Sequence, residues 1–454
     1  MRAPASERRA FASWQRLRPS WGGAVAQGVL WTTGGYGVSQ ILRLASNLIM
    51  TRLLNPEAFG LMAIVDTLLI GLYMVSDTGV ALTLVQRRDA PERSLLDTAW
   101  SIQALRGVAL YLVLLAAAPP LASWYGEPLL IAMLSIAGGQ LVFEGFQSTG
   151  LFEAMRVMAI RRLVLLELLV QISAIAFVIS FAWLEPSVWA LVWGGLAASV
   201  VRLVASHWMF PRRRARLRWD AGCVRELVRF GRWLLPSTFL LFVIMRSDRL
   251  LLGKWLSVAD LGAYTIASFV PLTLIAVAGQ VSHNVLLPVF ARLKAGGSSP
   301  LRGEIVRRRL SFLAFSIPLL CAAAVFGDRL VAALYDSRYQ EAGWMLRVLS
   351  CGAIVACANE SSLATLLALG DTYRRFVALL VSALLFVAAI LSGGVLADRL
   401  GLVVGVAAAP ALAYPMISWA LRRHGAWTAS IDGMAFAGAF VAIALLTGLR
   451  RLFE

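Results

Sequence analysis

Charged side chains are scarce in this chain, and so are cysteine and histidine. Only 15% of the 454 residues are charged, whereas 59% are hydrophobic. Soluble domains are commonly about 25% charged and about 45–50% apolar. No polar stretch here is long enough to form a sizeable soluble domain. Together with a mean hydropathy of +0.75, this composition indicates a protein that lies mostly in lipid.

The few cysteines and histidines form no metal-binding or disulfide pattern. The three histidines are scattered, and the four cysteines include no Cys-x-x-Cys pair: Cys223, Cys321, Cys351 and Cys357. We interpret the cysteines as small buried hydrophobes. The sequence therefore predicts neither a zinc or iron cluster nor any other cofactor.

Long apolar runs recur along the whole chain. Because about 20 apolar residues cross a bilayer core, they predict an all-α, polytopic membrane protein. The predicted spans are 24–50, 61–84, 98–118, 128–152, 162–183, 187–209, 230–252, 262–288, 308–327, 342–369, 374–396 and 401–421, with a thirteenth candidate at 430–449.

The basic residues predict the orientation. Lys and Arg favour cytoplasmic loops, and with the N-terminus inside, most of the 42 fall in cytoplasmic segments. The N-terminal 1–23 is then a cytoplasmic tail and not a secretory signal, because no short apolar core with a cleavage site follows it. The net charge of +17 lies in short loops beside the spans, where it meets anionic lipid. We therefore do not expect a nucleic-acid partner.

A short polar break between apolar runs occurs twice, 202 residues apart. "TRLLNPEAFGLMAI" (51–64) aligns with "GKWLSVADLGAYTI" (253–266), each after the first span of its half. Six spans separate equivalent positions, so the halves are parallel repeats, as in repeat-built transporters. This predicts an N-lobe (24–210), a basic linker (211–229), a C-lobe (230–421) and an extra segment (422–454).

Five segments carry a resemblance to a known family: "TRLLNPEAFGLMAI", "LEPSVWALVWGGL" (184–196), "FGRWLLPSTFLLFVIMRSDRLLLGKWLSVADLGAYTIA" (230–267), "ALGDTYRRF" and "GLVVGVA". They resemble the Wzx-like polysaccharide flippases of the multidrug/oligosaccharidyl-lipid/polysaccharide superfamily. It implies a MATE-like fold of 12 to 14 spans in two pseudo-symmetric six-helix lobes. It also implies that an oligosaccharide on a polyprenyl diphosphate is flipped from the cytoplasmic to the outer leaflet of a bacterial inner membrane. Other polysaccharide assembly proteins would be its partners.

Arginines inside the spans are the main candidates for a substrate site. A charge at bilayer depth costs roughly 2.5–3.5 kcal/mol on insertion scales, so it usually faces protein or water. Arg43 and Arg246 lie at nearly equal depth in the first span of each lobe, and Arg249 shares the face of Arg246. Arg347 is a fourth candidate, although it and Arg249 are close enough to the interface to extend into it. Since arginine binds phosphate oxygens through a planar fork, we expect these residues to bind the lipid diphosphate.

Polar residues at helical spacing predict cavity walls. One face of span one carries five of them: Thr33, Tyr36, Gln40, Arg43 and Asn47. Span four carries Gln140, Glu144 and Gln147. The alternative interpretation is hydrogen bonding between helices of the bundle.

Four carboxylates are candidates for ion coupling or gating: Asp66, Asp77, Asp248 and Glu360. Each can bind a proton or sodium ion, or close a gate with an arginine. The alternative is structural pairing, which for Asp248 would be a salt bridge to a nearby arginine.

Two other functions fit parts of this pattern. A multidrug exporter, or an exporter of the cell-wall lipid precursor, would share the fold, but a drug exporter should prefer acidic cavity residues. A membrane-embedded polysaccharide polymerase or ligase needs a sizeable outer loop, and the predicted outer loops are short. No nucleophile-base set is visible in the sequence. We therefore predict a transporter without enzymatic activity.

Overall fold

A computed structural model describes residues 21–76, 79–86, 92–211, 216–282, 301–424, 427 and 429–453. Within these ranges the regular structure is helical throughout. The first half of the chain (21–209) forms α1 (Trp21–Leu53), α2 (Pro56–Val75), α3 (Val80–Gln86), α4 (Arg93–Tyr125), α5 (Leu129–Ala137), α6 (Gly139–Gly145), α7 (Gly150–Arg156), α8 (Ile160–Leu184) and α9 (Val188–Met209). The second half (221–453) forms α10 (Ala221–Trp255), α11 (Val258–Val281), α12 (Leu301–Leu334), a 3-10 turn (Ser337–Tyr339), α13 (Glu341–Ala368), α14 (Thr372–Arg422) and α15 (Ala429–Phe453).

The helices are long and apolar enough to make a multi-pass membrane protein. Among the described residues, eight helices satisfy length and hydropathy criteria for a span, or nine if a bent pair counts as one span. The bent pair runs from 129 to 156 and turns by 62°. The single predicted span 128–152 is therefore broken into α5, α6 and α7.

Helices α10 and α14 each extend beyond a single predicted span. Helix α10 begins nine residues before the predicted boundary at 230, because Asp220 caps it by accepting hydrogen bonds from the backbone N–H groups of Gly222 and Cys223. Part of the predicted linker is thus helical. Helix α14 is two arms joined at Ala397 and Asp398, whose backbone angles are not helical. The arms agree with the predicted spans 374–396 and 401–421.

One end of the molecule holds an apolar core shared by both halves. Buried residues from the first half, including Leu54 and Leu130, pack in one cluster with Leu256, Tyr339 and Leu402 from the second half. This end contains the junctions α1–α2 and α10–α11, and we call it the joined end.

Two glycines bring the halves into reciprocal contact at the joined end. A Cβ on Gly60 would lie 1.9 Å from the carbonyl oxygen of Val258, and a Cβ on Gly262 would lie 1.9 Å from that of Pro56. Pro56 and Val258, like Gly60 and Gly262, are 202 positions apart. The repeated segments therefore meet each other, and only glycine permits so close an approach of backbones.

At the opposite end the buried apolar clusters are smaller and separate. Leu166 and Phe210 belong to a cluster of the first half, whereas Leu366 and Leu421 belong to one of the second half. The start of α10 is an exception, since Leu227 packs with Leu84 and other first-half residues. We call this the divided end.

A buried ion pair fixes α15 to the second half. Arg309 of α12 donates to Asp432 of α15 at 2.7 Å, and their side chains are 0% and 2% exposed. The Arg309 guanidinium also donates to the hydroxyls of Ser361 and Ser362 on α13. Tyr414 of α14 donates to the second oxygen of Asp432 at 3.0 Å. The segment predicted as a thirteenth span is thus joined to three other helices.

Candidate functional site

A group of five charged side chains lies where the two halves face each other. Its members come from α1, α2 and α10: Arg43, Asp66, Arg246, Asp248 and Arg249. Arg246 lies within electrostatic reach of the other four, and Asp66 is within reach of both Arg246 and Arg249. We call this set the central charged group. It contains three cations and two carboxylates, so it carries a net positive charge.

The arginines of this group have few direct partners. Within the described residues, no hydrogen bond or ion pair joins Arg43, Arg246 or Arg249 to another side chain. Arg249 is 9% exposed, and its buried Nε has no acceptor in the described part. A buried guanidinium donor without an acceptor costs free energy that an anionic ligand could recover.

Asp248 bonds to a tyrosine of its own half. The hydroxyl of Tyr264 on α11 donates to Asp248 Oδ2 at 2.6 Å, and both residues are buried. The other oxygen, Oδ1, has no hydrogen-bond partner in the described part of the chain. The carboxylate is therefore held by Tyr264 while its charge acts on the adjacent arginines.

The polar face of α1 is only partly buried. Thr33 and Arg43 are exposed. The buried oxygens of Tyr36, Gln40 and Asn47 have no hydrogen-bond partner among the described residues. Helix α1 is attached to α8 elsewhere, where Ser39 Oγ donates to Gln171 Oε1 at 2.6 Å.

The remaining candidates are spread over both halves. Gln140, Glu144 and Gln147 lie inside the first half, where Glu144 is within electrostatic reach of Arg106 and Arg202. Asp77 is outside the described residues.

Two second-half candidates lie apart from the central charged group. Glu360 of α13 is within electrostatic reach of Arg375. Arg347 forms an ion pair with Asp328 of α12, and its Nε donates to the carbonyl of Ala324 at 3.3 Å.

Polar contacts that the sequence did not reveal join the halves at the joined end. Arg338 donates to Asn55 Oδ1 at 2.5 Å and to the carbonyl of Arg52 at 3.1 Å. The hydroxyl of Tyr339 donates to the carbonyl of Leu54 at 2.7 Å. The backbone and side-chain hydrogen bonds of Arg338 also hold the pKa of Asp336 below its ordinary value. The contacts of Arg338 and Tyr339 therefore tie the 3-10 turn of the second half to the α1–α2 junction of the first.

A family model supplies the decisive comparison. The model described as "polysaccharide biosynthesis protein" matches residues 49–343. The chain belongs to this family. The match includes the central charged group apart from Arg43, and both glycines of the joined end.

Relatives of the family are similar to this chain at low identity. It is 22% identical over 67% of its length to the teichuronic acid biosynthesis protein TuaB of Bacillus subtilis. It is 23% identical over 59% of its length to the succinoglycan biosynthesis transport protein ExoT of Rhizobium meliloti. These matches span only 62% of TuaB and 53% of ExoT. The lipopolysaccharide biosynthesis protein WzxC of Escherichia coli is 21% identical, over 80% of this chain and 74% of WzxC.

Solved structures show the fold. The lipid II flippase MurJ in an inward closed conformation matches with a TM-score of 0.74 at 11% identity, over 92% of each chain. A MATE family transporter in an inward-facing conformation matches with 0.68 at 14% identity, over 86% of this chain and 95% of that one. A MATE family transporter in an outward-facing conformation matches with a TM-score of 0.57 at 15% identity, over 91% of this chain and 98% of that one. These structures confirm the predicted all-α, MATE-like fold.

Proposed function

We propose that this protein is a flippase that moves a polyprenyl-diphosphate-linked oligosaccharide across the bacterial inner membrane. The observation that carries the proposal is the central charged group, in which cations from both halves converge without direct partners in the described part of the chain. A diphosphate carries about two negative charges, and guanidinium groups bind phosphate oxygens with paired hydrogen bonds. The polysaccharide relatives and the lipid-flippase fold support this substrate class.

The joined end and the divided end indicate the conformational state of the protein and its orientation in the membrane. Basic segments such as 156–162 and 372–376 lie toward the divided end, and Lys and Arg favour the cytoplasmic side. The divided end would then face the cytoplasm, with the N-terminus inside, and the joined end would face outward. The higher TM-score to an inward-facing MATE structure supports this assignment. The headgroup would enter from the cytoplasm, bind the arginines, and leave after the halves rock apart at the joined end.

A flip assay with purified protein tests the proposal. Proteoliposomes would carry a polyprenyl-diphosphate oligosaccharide labelled on its sugar, and a membrane-impermeant quencher would report the outer-leaflet fraction. Replacing Arg246 by Ala removes charge-assisted bonds, each contributing roughly 1.5–3 kcal/mol. We expect Arg246→Ala to slow flipping about tenfold to a hundredfold and Arg246→Lys to slow it less, because charge is kept but the planar fork is lost.

The matched control is Arg423→Ala, which removes an exposed guanidinium beside Trp419. It should flip at the wild-type rate. Wild-type flipping by an Arg43→Ala/Arg246→Ala variant would show that the cations do not bind the headgroup. Lipid II is supplied in a second assay. Faster flipping of lipid II than of the oligosaccharide lipid would identify the protein as an exporter of the cell-wall lipid precursor instead.

A further inference from the structure

A second polar cluster lies inside the first half, built around an aromatic ring. Arg106 of α4 lies 4.6 Å from the ring centroid of Tyr73 on α2. Its Nε donates to the Ser76 hydroxyl at 2.9 Å, and its Nη2 donates to the Tyr73 carbonyl at 2.5 Å. Arg106 therefore holds the ring in place against α4, yet Tyr73 remains 45% exposed. A fixed and exposed aromatic face is a surface on which a ligand ring can stack.

Neutral hydrogen-bonding groups accompany this ring. Gln103 Nε2 donates to the carbonyl of Glu144 at 3.1 Å. Three buried polar atoms have no hydrogen-bond partner among the described residues: Gln103 Oε1, Gln140 Nε2 and Trp100 Nε1. Trp100 itself packs edge-on against Phe146 at 5.7 Å. The cluster thus offers both donors and an acceptor to a neutral polar ligand.

The charges of this cluster are balanced. Arg202 of α9 donates both terminal nitrogens to Glu167 of α8, at 2.8 and 2.5 Å. Glu144 lies within electrostatic reach of Arg106 and Arg202. Two arginines therefore face two carboxylates, whereas the central charged group has an excess of cations. A balanced set of this kind favours a polyhydroxylated ligand over an anion, because each hydroxyl can donate to a carboxylate and accept from a guanidinium.

The position of the cluster relates it to the central charged group. Asp66 and Tyr73 are both exposed on α2 and are seven residues apart, which places them on one helical face about 10 Å from each other. Asp66 belongs to the central charged group, and Tyr73 lies farther toward the divided end. A short oligosaccharide attached to a diphosphate at Arg246 could reach Tyr73.

We propose that Tyr73, Trp100, Gln103, Gln140 and Glu144 form a carbohydrate subsite for the sugars nearest the diphosphate. This inference rests on the proposed function, since it assumes that the central charged group binds the diphosphate. The subsite lies entirely within the first half, so the sugars and the phosphates are bound by different parts of the chain. Sugar selectivity would then depend on α2, α4 and α6, while lipid-diphosphate affinity would depend on α1 and α10.

Binding measurements on the full-length protein in nanodiscs separate these two roles. The probes are a polyprenyl diphosphate without sugar and the same lipid carrying a trisaccharide, in three forms that differ in the first sugar. Wild-type protein should bind at least one sugar-bearing lipid more tightly than the bare lipid. We expect Tyr73→Ala and Glu144→Gln each to weaken that complex about tenfold and to leave affinity for the bare lipid unchanged. Tyr73→Phe should retain sugar binding, because it preserves the stacking face.

Specific outcomes would overturn the subsite. The subsite is contradicted if the wild-type protein binds the bare lipid and all three sugar-bearing lipids with equal affinity. It is also contradicted if Tyr73→Ala weakens the binding of both kinds of lipid equally, since that would indicate a general structural effect. Arg246→Ala serves as the reference and should weaken every probe. Arg246→Ala could leave every affinity unchanged while Tyr73→Ala weakens only the binding of sugar-bearing lipids. That result would support the carbohydrate subsite and would contradict the proposed diphosphate site.

Discussion

Asp371 shows how a single carboxylate ties a loop to a distant part of the chain. It caps α14 and bonds to His424 Nε2 at 2.6 Å and to the backbone N–H of Arg374 at 3.0 Å. These hydrogen bonds, with the one from the Arg374 side chain, lower its pKa from 3.8 to about 2. The residue therefore connects the start of α14 to the residues just after its end.

This lowered pKa predicts a pH dependence of stability. A carboxylate whose folded-state pKa is depressed stabilises the fold above its unfolded pKa, and loses that effect as the pH falls through the folded value. The Tm difference between wild type and Asp371→Asn should be constant near neutral pH and should shrink as the pH falls from about 4 to about 2. This Tm difference is measured by thermal unfolding of both proteins in detergent at several pH values. A Tm difference that persists unchanged at pH 2 would contradict stabilisation by the ionised Asp371 side chain. The control is Glu57→Gln, which removes an exposed carboxylate at the joined end.

Residue spacing in the sequence predicted the relative depth of two arginines but not the partners of two others. Arg43 and Arg246 were expected at similar depth from the 202-residue repeat, and the structure brings them within electrostatic reach. Sequence spacing could not show that Arg347 pairs with Asp328 across two helices. It also gave no sign of Arg202, because one arginine in an apolar helix reveals no partner until α8 brings Glu167 beside it.

At the scale of the helix, the Arg309–Asp432 pair is a buried polar link between α15 and the bundle. Both side chains are buried, and the pair is completed by Ser361, Ser362 and Tyr414. Removing one partner of a buried pair leaves an uncompensated charge, which costs about 3–5 kcal/mol. Replacing both with apolar residues avoids that penalty.

These energetics predict the ranking of three variants. Arg309→Met and Asp432→Leu should each lower the Tm of the purified protein markedly, whereas the double variant Arg309→Met/Asp432→Leu should recover most of the loss. Arg423→Ala, at an exposed position, should leave the Tm unchanged. Additive losses in the double variant would contradict a direct pairing of the two charges.

Element boundaries followed from hydrophobicity where the chain is uniformly apolar. Most predicted spans correspond to helices, and the twin arms of α14 lie where the apolar runs predicted them. The break of the fourth span into three helices was not predicted, although Gln147, Ser148 and Thr149 lie at the bend between Gly145 and Gly150. Such small and polar residues also occur within continuous membrane helices, where they bond to neighbouring helices. The placement of α15 was also unpredictable, since Asp432 meets an arginine 123 residues earlier in the chain.

For the whole molecule, the joined end is expected to control which side is open. Backbone contact at Gly60 and Gly262 leaves no room for a side chain. An added methyl group at either position would push α2 and α11 apart and would favour states in which the joined end is separated. The sequence repeat identified these positions as equivalent, but it could not show that each lies against the backbone of the other repeat.

Gly60→Ala and Gly262→Ala should therefore shift the conformational equilibrium in the same direction. Spin labels on Glu57→Cys and Leu400→Cys, in a background without the four native cysteines, would report the distance across the joined end. We expect a larger population at long distance in each alanine variant, and a further increase in the double variant. Gly34→Ala is the matched control, since nothing lies within 4 Å of a Cβ there. An unchanged distance distribution in both variants would contradict the role of these two glycines in closing the joined end.

The reciprocal contact also has the form of an isologous interface. In a twofold dimer, residue i of one subunit meets residue j of the other while j meets i, and Gly60 with Val258 and Gly262 with Pro56 follow that rule within one chain. Each contact uses a glycine from one half and a carbonyl from the other, so one kind of helix crossing, made twice, closes the joined end from both sides.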